Sequence, residues 1–176
     1  QMVAVRPKVT KPIGRTSKKG DVIEFDPKVD RSSAKTETIK MVKEEAVRLD
    51  NADAIVSGGR GLGGPEGFKK LEDIAGLLRR RFEKVEIGSS RPPVDLGWIS
   101  SSHQVGLTGE KVSPDLYIAI GISGAMQHIA GITGAKKIVA INKSPKAYIF
   151  KVADYGLVGE YEKVLPAFKE RLEELL

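Results

Sequence analysis

The sequence predicts an α/β fold, a Rossmann-like three-layer sandwich with a mainly parallel sheet. The chain of 176 residues has the length of one domain, and its 40% of hydrophobic residues suffice for a sizeable core. From about residue 35 onward, segments with helical and strand periodicity alternate along the chain. Short apolar runs such as residues 53–57 end in glycine, which is typical of strands buried in a parallel sheet.

The spacing of apolar residues predicts each element of this alternation. The first helix places Ile39, Val42 and Ala46 at helical spacing, and the second has Pro65 near its first turn. The predicted elements, in chain order, are a helix over 36–49, a strand at 53–57, a helix over 65–82, strands at 84–87 and 116–120, a helix through 127–130, strands at 137–141 and within 149–155, and a helix over about 160–175.

Residues 1–34 differ from the rest of the chain and are interpreted as a basic N-terminal arm or hairpin, the remnant of a preceding domain. Residues 2–6 and 21–25 have strand-like patterns, and prolines and glycines punctuate the segment between them. Two short strands do not form a stable sheet alone. Residues 35–176 are therefore predicted to form the main domain.

The formal net charge of +6, from 29 basic and 23 acidic residues, belongs to the N-terminal arm. Residues 1–20 contain six basic residues and no acidic one, which leaves 23 basic against 23 acidic residues in the remainder. Because the main domain is balanced in charge, we expect no nucleic acid among its partners.

Composition excludes several classes of site. The chain has no cysteine, so it has no disulfide, no thiolate zinc site and no cysteine nucleophile. No apolar run approaches the roughly 20 residues of a membrane span, so we expect a protein that is not inserted in a membrane. Two histidines do not make a convincing metal site, and we expect none.

Ligands of open parallel sheets bind beyond the carboxyl ends of the strands, so the tails of the predicted strands are the candidate site. Each tail is rich in small and polar residues: 57–64, 88–95, 121–128 and 142–145. Backbone N–H groups and hydroxyls in such tails suit the phosphates and ribose of a nucleotide.

The tail after the first strand contains the pattern G-x-G-x-x-G at Gly59, Gly61 and Gly64. One interpretation is a dinucleotide site, in a nicotinamide- or nucleotide-binding Rossmann module that uses this loop. The other is a turn whose glycines only permit tight packing. The motif alone does not distinguish between these two interpretations.

The tail after the strand at 116–120 places Ser123 and Gly124 at a helix N-terminus, where free N–H donors favour an anion. Ser123 can equally be an N-cap. His128 lies one helical turn deeper, beside the same crevice, although a single histidine in a helix is often a hydrogen-bonded structural residue. For His103, in the glycine-rich loop 101–109, we expect a surface position.

The sequence has no nucleophile with a paired base, no G-x-S-x-G elbow and no Walker lysine motif. A cofactor-binding module therefore fits better than a hydrolase.

Six blocks of the main domain closely resemble the α subunit of electron-transfer flavoproteins. They are VSGGRGL at 56–62, SR at 90–91 with VD at 94–95, QVGLTG at 104–109, LYIAIGISGAMQHIAG at 116–131, IVAINK at 138–143 and VADYG at 152–156. The resemblance covers about residues 35–176. Leu107 departs from it, since many members have Gln there, and Glu160 stands where relatives often have Asp.

The resemblance implies a domain that binds FAD and carries electrons rather than a self-sufficient enzyme, with no catalytic residues of its own. Ser90, Arg91 and Thr108 would lie around the isoalloxazine, and His128 would approach its N1–C2 edge, either protonated or as a neutral hydrogen-bond donor. The cofactor-binding residues implied are Arg60, Ser90, Arg91, Gln104, Val105, Gly106, Leu107, Thr108, Gly121, Ser123, Gly124, Ala125, Met126, Gln127, His128, Asn142, Lys143, Asp154 and Glu160.

The resemblance also implies partners. These are an electron-transfer flavoprotein β subunit in a heterodimer, dehydrogenases as electron donors, and a quinone reductase or another membrane or soluble acceptor. Fatty acid β-oxidation in a prokaryotic cytoplasm is the expected setting.

Overall fold

The computed structural model describes residues 19–26, Lys28 and residues 47–176, and it divides the chain into two units, 1–46 and 47–176. In the first unit, residues 21–25 contain no strand, and Val22, Ile23 and Phe25 are exposed. The strand expected there is wrong, because an alternating pattern does not supply the hydrogen-bonded neighbour that a strand needs. The strand expected at 2–6 lies outside the described residues.

The second unit contains five strands in one parallel sheet, in the order β2-β1-β3-β4-β5. The strands are β1 at Ala54–Gly58, β2 at Val85–Ser89, β3 at Leu116–Ile120, β4 at Lys137–Asn142 and β5 at Tyr155–Val158. The predicted parallel sheet is confirmed. The last strand begins where the predicted span 149–155 ends, because Tyr148–Lys151 form a 3₁₀ turn instead.

Four α-helices accompany the sheet: α1 at Glu66–Leu78, α2 at Arg91–Asp95, α3 at Met126–Ile132 and α4 at Tyr161–Leu175. Three of them were expected, and α2 was not. The helix predicted over 36–49 lies mostly outside the described residues; in the part that is described, residues 47–48 are not helical and Leu49 begins a 3₁₀ turn, Leu49–Asn51. The domain boundary predicted between residues 34 and 35 stays a prediction.

The alternation of side chains along each strand divides the core into two layers. One layer joins Val56, Ile118 and Ile120 of the sheet to the apolar stripes of α1 and α4. The other joins Ile55, Tyr117 and the remaining inward side chains to α3 and to the segments around Val105, Val112 and Ile149. The three-layer sandwich predicted from the sequence is confirmed.

The strand order changes direction between β1 and β3. From β1 the chain moves outward to β2, and then returns to the other side of β1 to continue through β3, β4 and β5. The loops that follow β1 and β3 therefore leave the sheet in opposite directions and open a crevice between them, which is the usual ligand position in such sheets.

Candidate functional site

A cavity of about 850 Å³, here named the cleft, lies beyond the carboxyl ends of β1, β2, β3 and β4. Its volume is that of a typical site for a small molecule or cofactor. The cleft brings together all four strand tails and the loop 101–109. Fifteen of the residues predicted for the cofactor line it: Arg60, Ser90, Arg91, Gln104, Val105, Gly106, Leu107, Thr108, Gly121, Ser123, Ala125, Gln127, His128, Asn142 and Lys143.

The cleft also contains five residues that are not among the cofactor-binding residues implied by the resemblance: Gly61, Pro92, Asp95, Ile122 and Ser144. All of them lie in the strand tails that the sequence identified as the candidate site. Their position in those tails was therefore the signal by which they could have been predicted. Asp95 is the one with chemical consequence, because it places a carboxylate among the basic side chains of the cleft.

The glycines of the first tail pack against the backbone of Gly121. A Cβ on Gly59 would lie 2.2 Å from the Gly121 carbonyl oxygen, and one on Gly61 would lie 2.7 Å from it. The backbone N–H of Gly59 donates to the Ile120 carbonyl, and that of Gly61 donates to the Gly121 carbonyl. Two N–H groups of the motif are thus committed to the protein, as the packing interpretation requires.

The tail after β3 forms a sharp turn that leads into α3. Gly124 adopts a left-handed backbone with φ +82°, and a Cβ there would lie 2.2 Å from the backbone nitrogen of Ile149. That nitrogen donates to the Ser123 carbonyl. The N–H groups of Ala125, Met126 and Gln127 donate to no acceptor among the described residues, so they are available to an anionic or polar ligand.

The loop at 104–110 is attached to α3 along its length. The backbone N–H of Leu107 donates to the Gln127 carbonyl, and Gly131 of α3 lies so close to Gly106 that a Cβ would meet its backbone at 2.6 Å. Gln104 Nε2 donates to Thr108 Oγ1 at 2.8 Å. The loop, which forms one wall of the cleft, is therefore held in place by α3.

Both ring nitrogens of His128 are bonded to the protein. Nδ1 lies 3.0 Å from the Val105 carbonyl oxygen and Nε2 lies 3.1 Å from the Tyr117 hydroxyl. Burial lowers the pKa of His128 to about 4, and the hydrogen bond to Val105 opposes this only in part. His128 is therefore neutral at neutral pH, which is one of the two states that the resemblance left open.

His103 lies partly at the surface, and its ring attaches the loop to the sheet. Its ring is half-buried, and Nδ1 lies 2.7 Å from the Ile87 carbonyl oxygen of β2. Together with the bridge between Ser89 and Gln104, this bond holds the loop against the end of β2.

Three basic side chains line the cleft, and one of them is paired. Arg60 and Lys143 are exposed, whereas Arg91 Nε lies 3.1 Å from Asp95 Oδ2 one turn along α2. Both partners of this pair are more than half exposed, so the pair is weak. The cleft consequently favours an anionic ligand.

Asn142 uses its side chain to join two of the tails. Its Nδ2 donates to the Ile122 carbonyl at 2.8 Å, and its Oδ1 accepts from the backbone N–H of Ser144 at 2.9 Å. It lines the cleft while holding the ends of β3 and β4 together.

Four predicted residues lie outside the lining of the cleft. Gly124 belongs to the turn before α3 but does not line the cleft. Met126 is the first residue of α3, and its side chain is exposed. Glu160 lines a smaller adjoining cavity of about 490 Å³, which also includes Asn142 and Lys143. An ion pair with Lys163 lowers the pKa of Glu160, and the charge of Lys143 contributes.

Asp154, the fourth of these residues, lies at the opposite edge of the sheet from the cleft. Its carboxylate accepts from Lys137 Nζ and from the Ile138 backbone N–H, at the amino end of β4, and both bonds lower its pKa. The cleft begins at Asn142, about 16 Å further along the strand. The structure therefore gives Asp154 a role in anchoring β5 to β4 and does not bring it to the predicted site.

Residues 48–133 match a protein-family model described as the electron transfer flavoprotein FAD-binding domain. The chain carries this domain. Electron transfer flavoprotein α subunits are similar over nearly the whole chain: that of Thermoanaerobacterium thermosaccharolyticum is 49% identical over 99% of this chain and 52% of its own length. The α subunit of Megasphaera elsdenii is 44% identical over 99% of this chain and 52% of its own length. That of Bacillus subtilis is 43% identical over 91% of this chain and 48% of its own length.

The chain thus spans about half the length of the curated relatives that it matches. Among solved structures, a hypothetical protein aligns with 72% of this chain and 71% of its own, at a TM-score of 0.41 and 17% identity, which is too weak to add to the assignment. The family confirms FAD as the cofactor. Within residues 47–176, no helix is long and apolar enough to cross a membrane.

The residues of the cleft fit FAD on grounds of their chemistry. The free N–H groups at 125–127 and the basic side chains of Arg60 and Lys143 suit a pyrophosphate. The hydroxyls of Ser90 and Thr108 suit the polar edge of a flavin, and Val105 and Leu107 offer apolar contact to its ring.

Proposed function

We propose that this chain is the cofactor-carrying half of an electron transfer flavoprotein α subunit, which accepts electrons from dehydrogenases and passes them to a quinone reductase or another acceptor. The observation that supports this most directly is the cleft at the reversal of strand order, lined by free backbone donors and cations within a domain of the FAD-binding family.

Bound FAD would supply the redox chemistry, and the side chains of the cleft would bind and orient it. We assign the pyrophosphate to the turn 123–127, where N–H donors stand free at the start of α3. Arg91 and the Thr108 hydroxyl would adjoin the isoalloxazine, and Asn142, Lys143 and Glu160 would adjoin the adenosine. A positive side chain next to the flavin stabilises its reduced, more negative form.

The β subunit is the proposed partner, in a heterodimer. Its support is three exposed apolar side chains that line the cleft or are adjacent in sequence to residues that line it: Leu96 is 55% exposed, Leu107 54% and Met126 65%. Apolar side chains that stand out from the rim of a ligand site are typical of a surface that a protein covers. A bacterial cytoplasm and fatty acid β-oxidation complete the proposal.

The experiment for the carrier is a redox half-reaction. One sample would contain the full chain loaded with FAD, and a second would also contain a β subunit from one of the bacterial relatives. In each sample the flavin would be reduced with light and a sacrificial donor. The reduced protein would then be mixed anaerobically with ferricenium. A carrier predicts that the flavin returns to its oxidised spectrum while it remains on the protein after gel filtration. Flavin that leaves the protein on reduction, in both samples, would contradict the proposal.

The alternative, a nicotinamide- or nucleotide-binding Rossmann module, is less well supported because the Gly59 and Gly61 N–H groups already have protein acceptors. The two proposals differ in the ligand that the cleft selects. In a competition assay that follows the fluorescence of bound FAD, we expect ADP to displace FAD weakly and NAD⁺ to displace it no better than ADP does. Displacement by NAD⁺ at concentrations similar to those of FAD would favour the alternative.

A further inference from the structure

A line of buried polar groups runs from the sheet to the wall of the cleft. Tyr117 is the second residue of β3 and is fully buried, and its hydroxyl lies 3.1 Å from His128 Nε2. On the other side of the imidazole, Nδ1 lies 3.0 Å from the Val105 carbonyl oxygen. Ser57 of β1 lies near the Tyr117 hydroxyl, but its own buried hydroxyl has no hydrogen-bond partner among the described residues.

The direction of each hydrogen bond follows from the chemistry of its acceptor. A carbonyl oxygen only accepts, so Nδ1 of His128 has to carry the proton that it shares with Val105. A neutral imidazole with a proton on Nδ1 has a lone pair on Nε2. The Tyr117 hydroxyl must therefore donate to Nε2. Burial raises the pKa of Tyr117, so its hydroxyl keeps the proton that this bond requires.

The Val105 carbonyl belongs to the loop whose residues 104–108 form one wall of the cleft. The loop has other attachments to α3, through the Leu107 N–H and through the close approach of Gly106 and Gly131. The backbone N–H of Val105 donates to the Ser89 carbonyl at the end of β2, whereas the bond from His128 connects the Val105 carbonyl to β3, by way of Tyr117. Its strength depends on an imidazole held in one orientation.

We propose that Tyr117 is a positioning residue for the cofactor cleft: its hydroxyl fixes the orientation and the tautomer of His128, so that the imidazole holds the Val105 carbonyl and with it the wall at 104–108. Tyr117 itself does not line the cleft. It acts on the ligand only through His128, which distinguishes it from a residue that binds FAD directly. The binding part of this inference rests on the proposed function.

The first test needs no cofactor. The ¹⁵N resonances of the His128 ring in the full chain report which nitrogen carries the proton. We expect Nδ1 protonated and Nε2 bare at neutral pH, and a shift of the Nε2 resonance in Tyr117→Phe that Ser57→Ala does not produce. Ser57→Ala is the matched control, because it removes another buried hydroxyl beside Tyr117 that makes no bond to His128. A proton on Nε2 in the wild-type chain would overturn the proposal, even if the Tyr117→Phe chain failed to fold.

The second test measures FAD affinity in a double-mutant cycle. We expect Tyr117→Phe to weaken FAD binding about three- to tenfold, the effect of one lost buried hydrogen bond, and Ser57→Ala to change it by less than about twofold. In a His128→Gln background, Tyr117→Phe should cause no further loss. An equal loss in both backgrounds, or an equal loss in Ser57→Ala, would overturn the proposal. A wild-type chain that binds no FAD would instead contradict the proposed function, and the resonance test would still decide the role of Tyr117.

Discussion

At the scale of single residues, the cleft depends on a few backbone positions that tolerate no side chain. Gly124 combines a left-handed φ of +82° with a close approach to the backbone nitrogen of Ile149. Gly63 has a similar φ of +76°, but a Cβ there would meet nothing within 4 Å. Substitution of each glycine by alanine therefore separates the free-energy cost of a left-handed backbone from the cost of a steric clash.

We expect Gly124→Ala to lower the free energy of unfolding by about 3 kcal/mol or more, because the methyl group meets backbone that cannot move aside. Gly63→Ala should cost only about 1 kcal/mol, the penalty of the left-handed conformation. Urea denaturation of both variants measures the difference. Equal losses would show that the contact with Ile149 relaxes without cost.

The lowered pKa of His128 makes stability depend on pH. In the folded chain the imidazole takes up a proton near pH 4, against 6.5 for an ordinary histidine, so the unfolded chain binds the proton first as the pH falls. The stabilising contribution of neutral His128 is complete above about pH 6.5 and is lost as the pH falls toward 4. The whole contribution is roughly 3 kcal/mol.

The variant His128→Gln lacks this titration. We expect the difference in unfolding free energy between the wild type and His128→Gln to shrink by roughly 3 kcal/mol from pH 7 to pH 4. The other titratable groups are the same in both proteins, so their contributions cancel in this difference. A difference that stays constant over this range would mean that His128 is not buried as a neutral group.

At the scale of elements, α2 contributes both a positively and a negatively charged side chain to the cleft. This single-turn helix places Arg91 and Asp95 four residues apart, in an exposed ion pair that lines the cleft. We expect Asp95→Asn to tighten FAD binding about two- to threefold at low salt, because it frees Arg91 and removes a negative charge facing an anionic cofactor. The gain should fade in about 0.5 M salt, where charges are screened.

A matched control is Glu174→Gln, which makes the same change of charge in an exposed ion pair of α4 with Arg171, outside both cavities. FAD affinity should not change in that variant. Weaker binding in Asp95→Asn would mean that the carboxylate is needed to hold Arg91 in its binding position.

The elements with strong periodicity were predictable from the sequence, and the short ones were not. The strand at 116–120 and the helices α1 and α4 have apolar patterns that only one kind of element satisfies. The helix α2 escaped prediction because consecutive prolines favour a loop, although proline is well suited to the first turn of a helix. In 149–155, the aromatic and β-branched residues fit a strand, but the chain forms a 3₁₀ turn that packs Ile149 into the core.

At the scale of the whole molecule, the sheet order explains why residues far apart in sequence meet in one cleft. Parallel strands end at the same edge, so the tails after β1, β2, β3 and β4 could be predicted to converge. What could not be predicted is the set of tertiary bonds within that edge. The engagement of both His128 nitrogens and the position of Asp154 at the other end of β4 depend on contacts that no local pattern encodes.

Binding of FAD by the cleft of this chain is tested most directly by an absorption spectrum. The purified full chain would be mixed with excess FAD, desalted, and its absorption recorded across the visible flavin bands, alone and with a β subunit. We predict retained flavin bands, shifted from those of free FAD, at about one flavin per chain. A colourless protein in both samples would contradict the assignment of the cleft to FAD.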